Sequence, residues 1–143
     1  MVDPEPADAP AAYHASDGEV IDTERIRSWL ESRDSPLAAY AEQLVEAGVT
    51  YDVDPRLVVA IATMESSAGL RLPPGSRNAW GWGGSGAHGL HHWSSWEVAI
   101  DDYRERLGRL SDTERVDETF SRTYCPPEWQ RWLETVTWVI GDI

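Results

Sequence analysis

The stretch Asp54 to Gly69, DPRLVVAIATMESSAG, decides how the rest of the chain reads. Asp54 followed by Pro55 is a helix start: a carboxylate can accept the free N–H groups of a first turn, and proline at the first helical position gives up no bond there. Gly69 stands where a C-terminal stop belongs. Between them Leu57, Val58, Ile61 and Ala62 repeat at helical spacing, and Glu65 falls on the stripe of Val58, Ile61 and Ala62, because residues three and four apart share a helix face. A single carboxylate is thereby set on an apolar face in the last turn of a helix. The helix dipole is negative there and disfavours it by roughly 0.3 to 1 kcal/mol. Partial burial disfavours the ionised form further. Both effects push the pKa up, as a general acid working near neutral pH requires. A glutamate that only snorkels to the surface from the helix end satisfies the same spacing.

Outward from this helix the punctuation continues. On the N-terminal side Ile26, Trp29 and Leu30 sit at helical spacing, and Ser35-Pro36 opens a second stripe, Leu37, Tyr40, Ala41, Leu44 and Val45, that Gly48 is expected to stop. On the C-terminal side Ser94 and Glu97 form a capping box before Trp96, Ile100, Tyr103, Leu107 and Leu110. Ser111 and Glu114 repeat it before a short helix through Val116 and Phe120. Beyond the Tyr124-Cys125-Pro126-Pro127 break, Trp129, Trp132, Leu133, Val136 and Ile140 share a last helical face. The expectation is a mainly α domain of about six helices around one core, with no alternating strand. Trp29, Trp96, Trp129, Trp132 and Trp138 are expected in that core. Residues 70–93 have no helical period and are rich in glycine, Trp and His, which reads as a functional loop or short hairpin. Residues 1–20 are Ala/Pro-rich and acidic and read as a flexible tail, leaving 21–143 as the domain. A chain beginning near Ile21 is then expected to keep its stability and activity.

Composition narrows the function. The 143 residues carry a net charge of −13, and every basic residue is Arg. That balance argues against a nucleic-acid partner, since a phosphate backbone selects for cations. No apolar run approaches the roughly eighteen residues that span a bilayer. The single cysteine, Cys125, has no internal disulfide partner, and four histidines with one cysteine give no spaced ligand set, so neither a metal nor another cofactor is expected. Residues 1–17 lack the basic start and apolar stretch of a signal peptide, so an external role requires a mature form or a phage or virion product. Eight Trp is high for this length. Aromatic rings of that number serve as core or as platforms for sugar faces.

Four segments in order, SPLAAYAEQLVEAGVTYDVDPRLVVAIATMESSAG, SRNAWGWGG, HWSSWEVAI and TYCPPEWQRWLETV, together resemble the lysozyme-like superfamily over roughly residues 24–140. The likeness is to bacterial cell-wall lytic transglycosylase and endo-β-N-acetylglucosaminidase domains. It implies a lysozyme-like helical fold with Glu65 as the catalytic acid, Ser76 and Asn78 lining an acetamido-sugar subsite, Trp80 and Trp82 flooring the cleft, and Tyr124 facing the acid. The stretch between Asn78 and Trp96 is shorter than the β-lobe of many relatives, which puts a second catalytic carboxylate in doubt. Asp101 and Asp102 lie in a helix, Ser66 and Ser67 read as helix-end polar residues, His88, His91 and His92 as exposed loop residues, and Cys125 as a packed one. The implied activity is cleavage of β-1,4 bonds in peptidoglycan or another N-acetylglucosamine-containing polymer by a monomeric extracellular or wall-associated enzyme. Two outcomes stay open. A lytic transglycosylase needs one acid, whereas an endo-glucosaminidase or muramidase-type hydrolase usually needs a second carboxylate. A non-catalytic sugar-binding module and a purely structural helical domain are the competing classes.

Overall fold

The Asp54–Gly69 stretch does become a helix, and a more deeply buried one than a single apolar stripe requires. In the computed structural model, which describes residues 10–83, 91–110, 118, 121–122 and 125–143, helix Pro55–Ser66 is buried continuously from Pro55 through Ala62. A helix buried on all sides over that length belongs in the core of a bundle. In order, the elements are β1 (Ala12–His14), β2 (Val20–Asp22), α1 (Thr23–Glu31), a 3-10 turn (Pro36–Tyr40), α2 (Ala41–Tyr51), α3 (Pro55–Ser66), α4 (Trp96–Leu110), a short 3-10 turn (Pro126–Glu128) and α5 (Trp129–Asp142). The fold is mainly α, with five α-helices among the described residues. The expected helix through Val116 and Phe120 lies outside them, although Glu118, Ser121 and Arg122 are helical. No described helix is long and apolar enough to cross a membrane.

Capping chemistry sets the helix ends as the sequence implies, with two changes of detail. Asp54 accepts the Arg56 N–H at 2.8 Å, and Asp22 caps α1 through the Arg25 N–H, also at 2.8 Å. At the start of α4 it is Ser95, one residue after the expected Ser94, whose hydroxyl accepts the Val98 N–H at 3.1 Å. Gly48 does not stop α2. It lies inside the helix, where a Cβ would meet the Val53 carbonyl at 2.7 Å, so glycine there serves a close approach of backbones. The stop falls at Asp52, in the left-handed conformation at φ 52°.

Residues 12–20 are not tail, which corrects the expected boundary at residue 20. β1 and β2 pair antiparallel, Tyr13 opposite Ile21, to make a two-stranded sheet. Tyr13 is only 7% exposed within the core and its hydroxyl donates to Asp52 at 3.4 Å. Asp17, in the connecting turn, holds the buried Arg56 guanidinium at 3.0 Å. The described sheet is three residues per strand, too short to show an alternating pattern.

α3 packs most extensively on α5, while α2 lies against α1, α4 and β1. The α2–α4 seam contains a fully buried cation: Arg104 donates to the Val53 carbonyl at 2.8 Å and to the Leu44 carbonyl. Burial pulls its pKa down to about 9, which leaves it charged at neutral pH.

Candidate functional site

The last turn of α3, the 76–83 turn and α5 meet around Glu65. Two bonds stitch the turn to α3. The Ser66 hydroxyl reaches the Ala79 carbonyl at 2.7 Å, and the Trp80 indole N–H donates to the Val58 carbonyl at 3.1 Å. α3 then ends in Ser67 and Ala68, both left-handed at φ 53° and 58°, with the Ala68 N–H turned back to the Ala62 carbonyl. Those reversals stop the helix one residue after Glu65 and Ser66, so Glu65 emerges at its rim.

Glu65 is open to solvent as a residue, but its carboxyl group is seated against protein. The indole N–H of Trp132, which is fully buried on α5, donates to Glu65 Oε1 at 3.1 Å. The other oxygen hangs over Gly81, where a Cβ would come within 2.8 Å of Oε2. Burial of the carboxyl group pushes its pKa above the usual glutamate value, and the Trp132 bond, which favours the ionised form, draws part of that back. The direction agrees with the reading from the sequence, and packing is its largest cause.

The residues expected to line the site separate into two groups. Trp82 is half-buried beside Gly81, edge-on to Tyr103 with ring centres 5.7 Å apart. Trp80, in contrast, is fully buried and stacks on Tyr103 at 4.4 Å with planes 9° apart, so it is core and cannot floor a cleft. Ser76 and Asn78 are also buried, at 0% and 2% exposure, and their polar atoms are engaged with protein. The Asn78 side chain donates to the carbonyls of Trp82 (2.7 Å) and His91 (2.9 Å) and accepts the N–H groups of Trp80 and Trp82 at 3.3 and 3.1 Å. Ser76 Oγ accepts the Asn78 N–H at 3.2 Å. These two residues build the turn rather than face a ligand. Tyr124 lies outside the described residues, as does His88.

Glu65 has no charged partner among the described residues. Asp102 accepts the Trp93 indole N–H at 2.8 Å and pairs with Arg106 at 2.9 Å. Asp101 accepts from the Tyr51 hydroxyl at 3.1 Å. Neither carboxylate acts on Glu65. No group of three or more His, Cys, Asp or Glu in the described residues is arranged to hold a metal ion. Sequence reasoning assigned Trp132 to the core and passed over Gly81; the former is core and site together, and the latter was marked only by its place between two Trp. Trp138, expected in the core, is 61% exposed, because α5 turns that side away from α3. Trp93 is buried, at 5% exposure.

The chain matches no protein-family model, no curated protein and no solved structure.

Proposed function

We propose that the chain is a glycosidase with a lysozyme-like helical fold that cleaves β-1,4 bonds between N-acetylated amino sugars, with peptidoglycan as the substrate class and Glu65 as its one general acid. The observation that carries this reading is the seat of Glu65: a carboxyl group at the rim of a buried helix, reachable from solvent, raised in pKa and without an ionic partner among the described residues. A general acid must hold its proton near neutral pH and still reach the leaving oxygen, and such a seat serves both needs. Trp82, half-buried next to Gly81, is the ring we assign to a sugar face.

Single-acid chemistry of the lytic transglycosylase type is favoured over hydrolysis by the engagement of Asp101 and Asp102 elsewhere. In that chemistry Glu65 protonates the leaving oxygen as the glycosidic bond breaks, and its carboxylate then accepts the proton of the sugar's own 6-hydroxyl as that oxygen closes on the anomeric carbon. An external or wall-associated location and action as a monomer belong to the same proposal. The test is zymography on purified cell walls with wild type and Glu65→Gln, followed by mass spectrometry of the released fragments. Clearing by wild type alone, with 1,6-anhydro ends, is the expected result. Reducing ends would turn the reading to a hydrolase. Binding of N-acetylglucosamine oligomers without clearing would turn it to a sugar-binding module.

A further inference from the structure

The two oxygens of Glu65 are not equivalent. Oε1 receives the Trp132 indole N–H at 3.1 Å. That group is a donor only, so the oxygen facing it must act as an acceptor. A carbonyl oxygen accepts better than a hydroxyl oxygen, so whenever the carboxyl group is protonated the bond is best kept with the hydrogen on Oε2. Oε2 in turn occupies the space over Gly81 that any Cβ would fill, and Gly81 holds a positive φ of 64° that other residues rarely adopt.

We propose that Trp132 is a positioning residue that keeps the transferable proton of Glu65 on Oε2, and that Gly81 keeps the approach to that oxygen open. The proposal rests on the glycosidase reading for its purpose. The Oε2–H proton passes to the leaving glycosidic oxygen as its bond to the anomeric carbon breaks, which leaves Glu65 as a carboxylate. Oε2 then takes the proton of the attacking hydroxyl as that oxygen bonds to the same carbon, and the acid is restored. Trp132 donates to Oε1 throughout and neither gains nor loses a proton.

Among the described residues no charged side chain acts on Glu65. Of the charged side chains on the packed elements, Arg56 at the far end of α3 pairs with Asp54 and Asp17, and Asp142 at the end of α5 accepts from Trp29 and Arg33. Neither these nor Glu128 just before α5, Arg131 and Glu134 on it, nor His91 and His92 beyond the turn, contributes to the state of Glu65.

The experiment is an NMR titration of the full chain, following the Glu65 carboxyl carbon and the indole N–H signals of the eight Trp, in wild type, Glu65→Gln and Trp132→Phe. One indole signal is expected to move with the Glu65 midpoint in wild type, to lose that movement in Glu65→Gln, and to be absent from Trp132→Phe. In Trp132→Phe the Glu65 midpoint should rise, because the bond that favoured the carboxylate is gone. Wall-degrading kcat should fall about tenfold with KM unchanged, the pH profile shifting with the midpoint. Gly81→Ala, on the other side of the carboxyl group, should also lower kcat. An indole set in which no signal follows Glu65 overturns the proposal, as does a midpoint and pH profile unchanged in folded Trp132→Phe. Should that variant fail to fold, the comparison of wild type with Glu65→Gln decides alone. Titrating indole in a wild-type protein that clears no wall would retain the Trp132–Glu65 seat and sink the glycosidase reading instead.

Discussion

The two charges of α3 are treated in opposite ways. At its N-terminal end Arg56 is 5% exposed and lies between Asp54 at 2.7 Å and Asp17 at 3.0 Å. Desolvation works against its charge, but the two carboxylates outweigh it and its pKa is raised. At the C-terminal end Glu65 meets, among the described residues, one neutral donor and no opposite charge, and burial raises its pKa. A buried charge surrounded by partners is locked, because changing its state strands those partners. A half-seated carboxyl without an ionic partner can lose and regain a proton with little rearrangement. The difference marks one end of the helix as architecture and the other as the proposed site of chemistry.

Removing the chemistry is the strongest way to break that contrast. Glu65→Gln keeps the Oε1 acceptor for Trp132 and cannot donate a proton to a substrate, so wall-degrading activity should fall about 100-fold or more in a turbidity assay. Next comes the architectural end. A chain beginning at Ile21 loses β1, the buried Tyr13 ring and the Asp17 partner of Arg56. Burial of a ring of that size contributes about 1.5–3 kcal/mol, so the melting temperature should drop by roughly 10 °C; an unchanged melting temperature would return residues 12–20 to the tail. Arg56→Met is milder, at about 1–2 kcal/mol in a urea titration, since Asp54 keeps its capping role and Asp17 turns to solvent.

The smallest effect sharpens the comparison through pH. Glu65 has a folded-state pKa above its unfolded value, so its ionisation opposes folding; that opposition is absent below the ordinary glutamate pKa and complete above the raised one. Glu65→Gln should therefore match wild type in melting temperature at about pH 4 and exceed it slightly at neutral pH. Asp17 runs the other way. The bond from the Glu19 N–H and the Arg56 pair hold its pKa down, and its stabilisation is present above the ordinary aspartate value and fades as pH falls through the lowered one. A Glu65→Gln variant less stable than wild type at neutral pH would mean that Glu65 is architecture too.

The helices were legible because their signals are local. Asp54-Pro55 and the Leu57–Ala62 spacing needed nothing beyond one turn of chain, and the direction of the Glu65 shift followed from its place on that turn. The rest depended on distant partners. Trp80 and Trp82 look alike in sequence, and only Tyr103, from α4, separates a stacked core ring from a rim ring. Trp132 could be assigned to an apolar face, but nothing in a periodic pattern says that its N–H ends on a carboxylate near the far side of the chain. Tyr13 is one aromatic residue among acidic and small ones, and its strand is too short to declare itself. Asn78 was read by type as a sugar contact, yet an amide with two donors and an acceptor suits a turn equally well, and the turn uses all of them.

That amide also sets what the chain can become. By taking the carbonyls of Trp82 and His91 on one side chain, with the His91 N–H returned to Trp82 at 3.0 Å, Asn78 ties the chain before Gly83 to the chain at His91. Once both ends of a connection are pinned in this way, lengthening it costs little: each doubling of a flexible loop adds only about 0.6 kcal/mol. Descendants of this sequence can therefore gain or lose residues between those two positions while the helices inherit nothing of the change. That tolerance is set by a residue that never needs to touch a ligand.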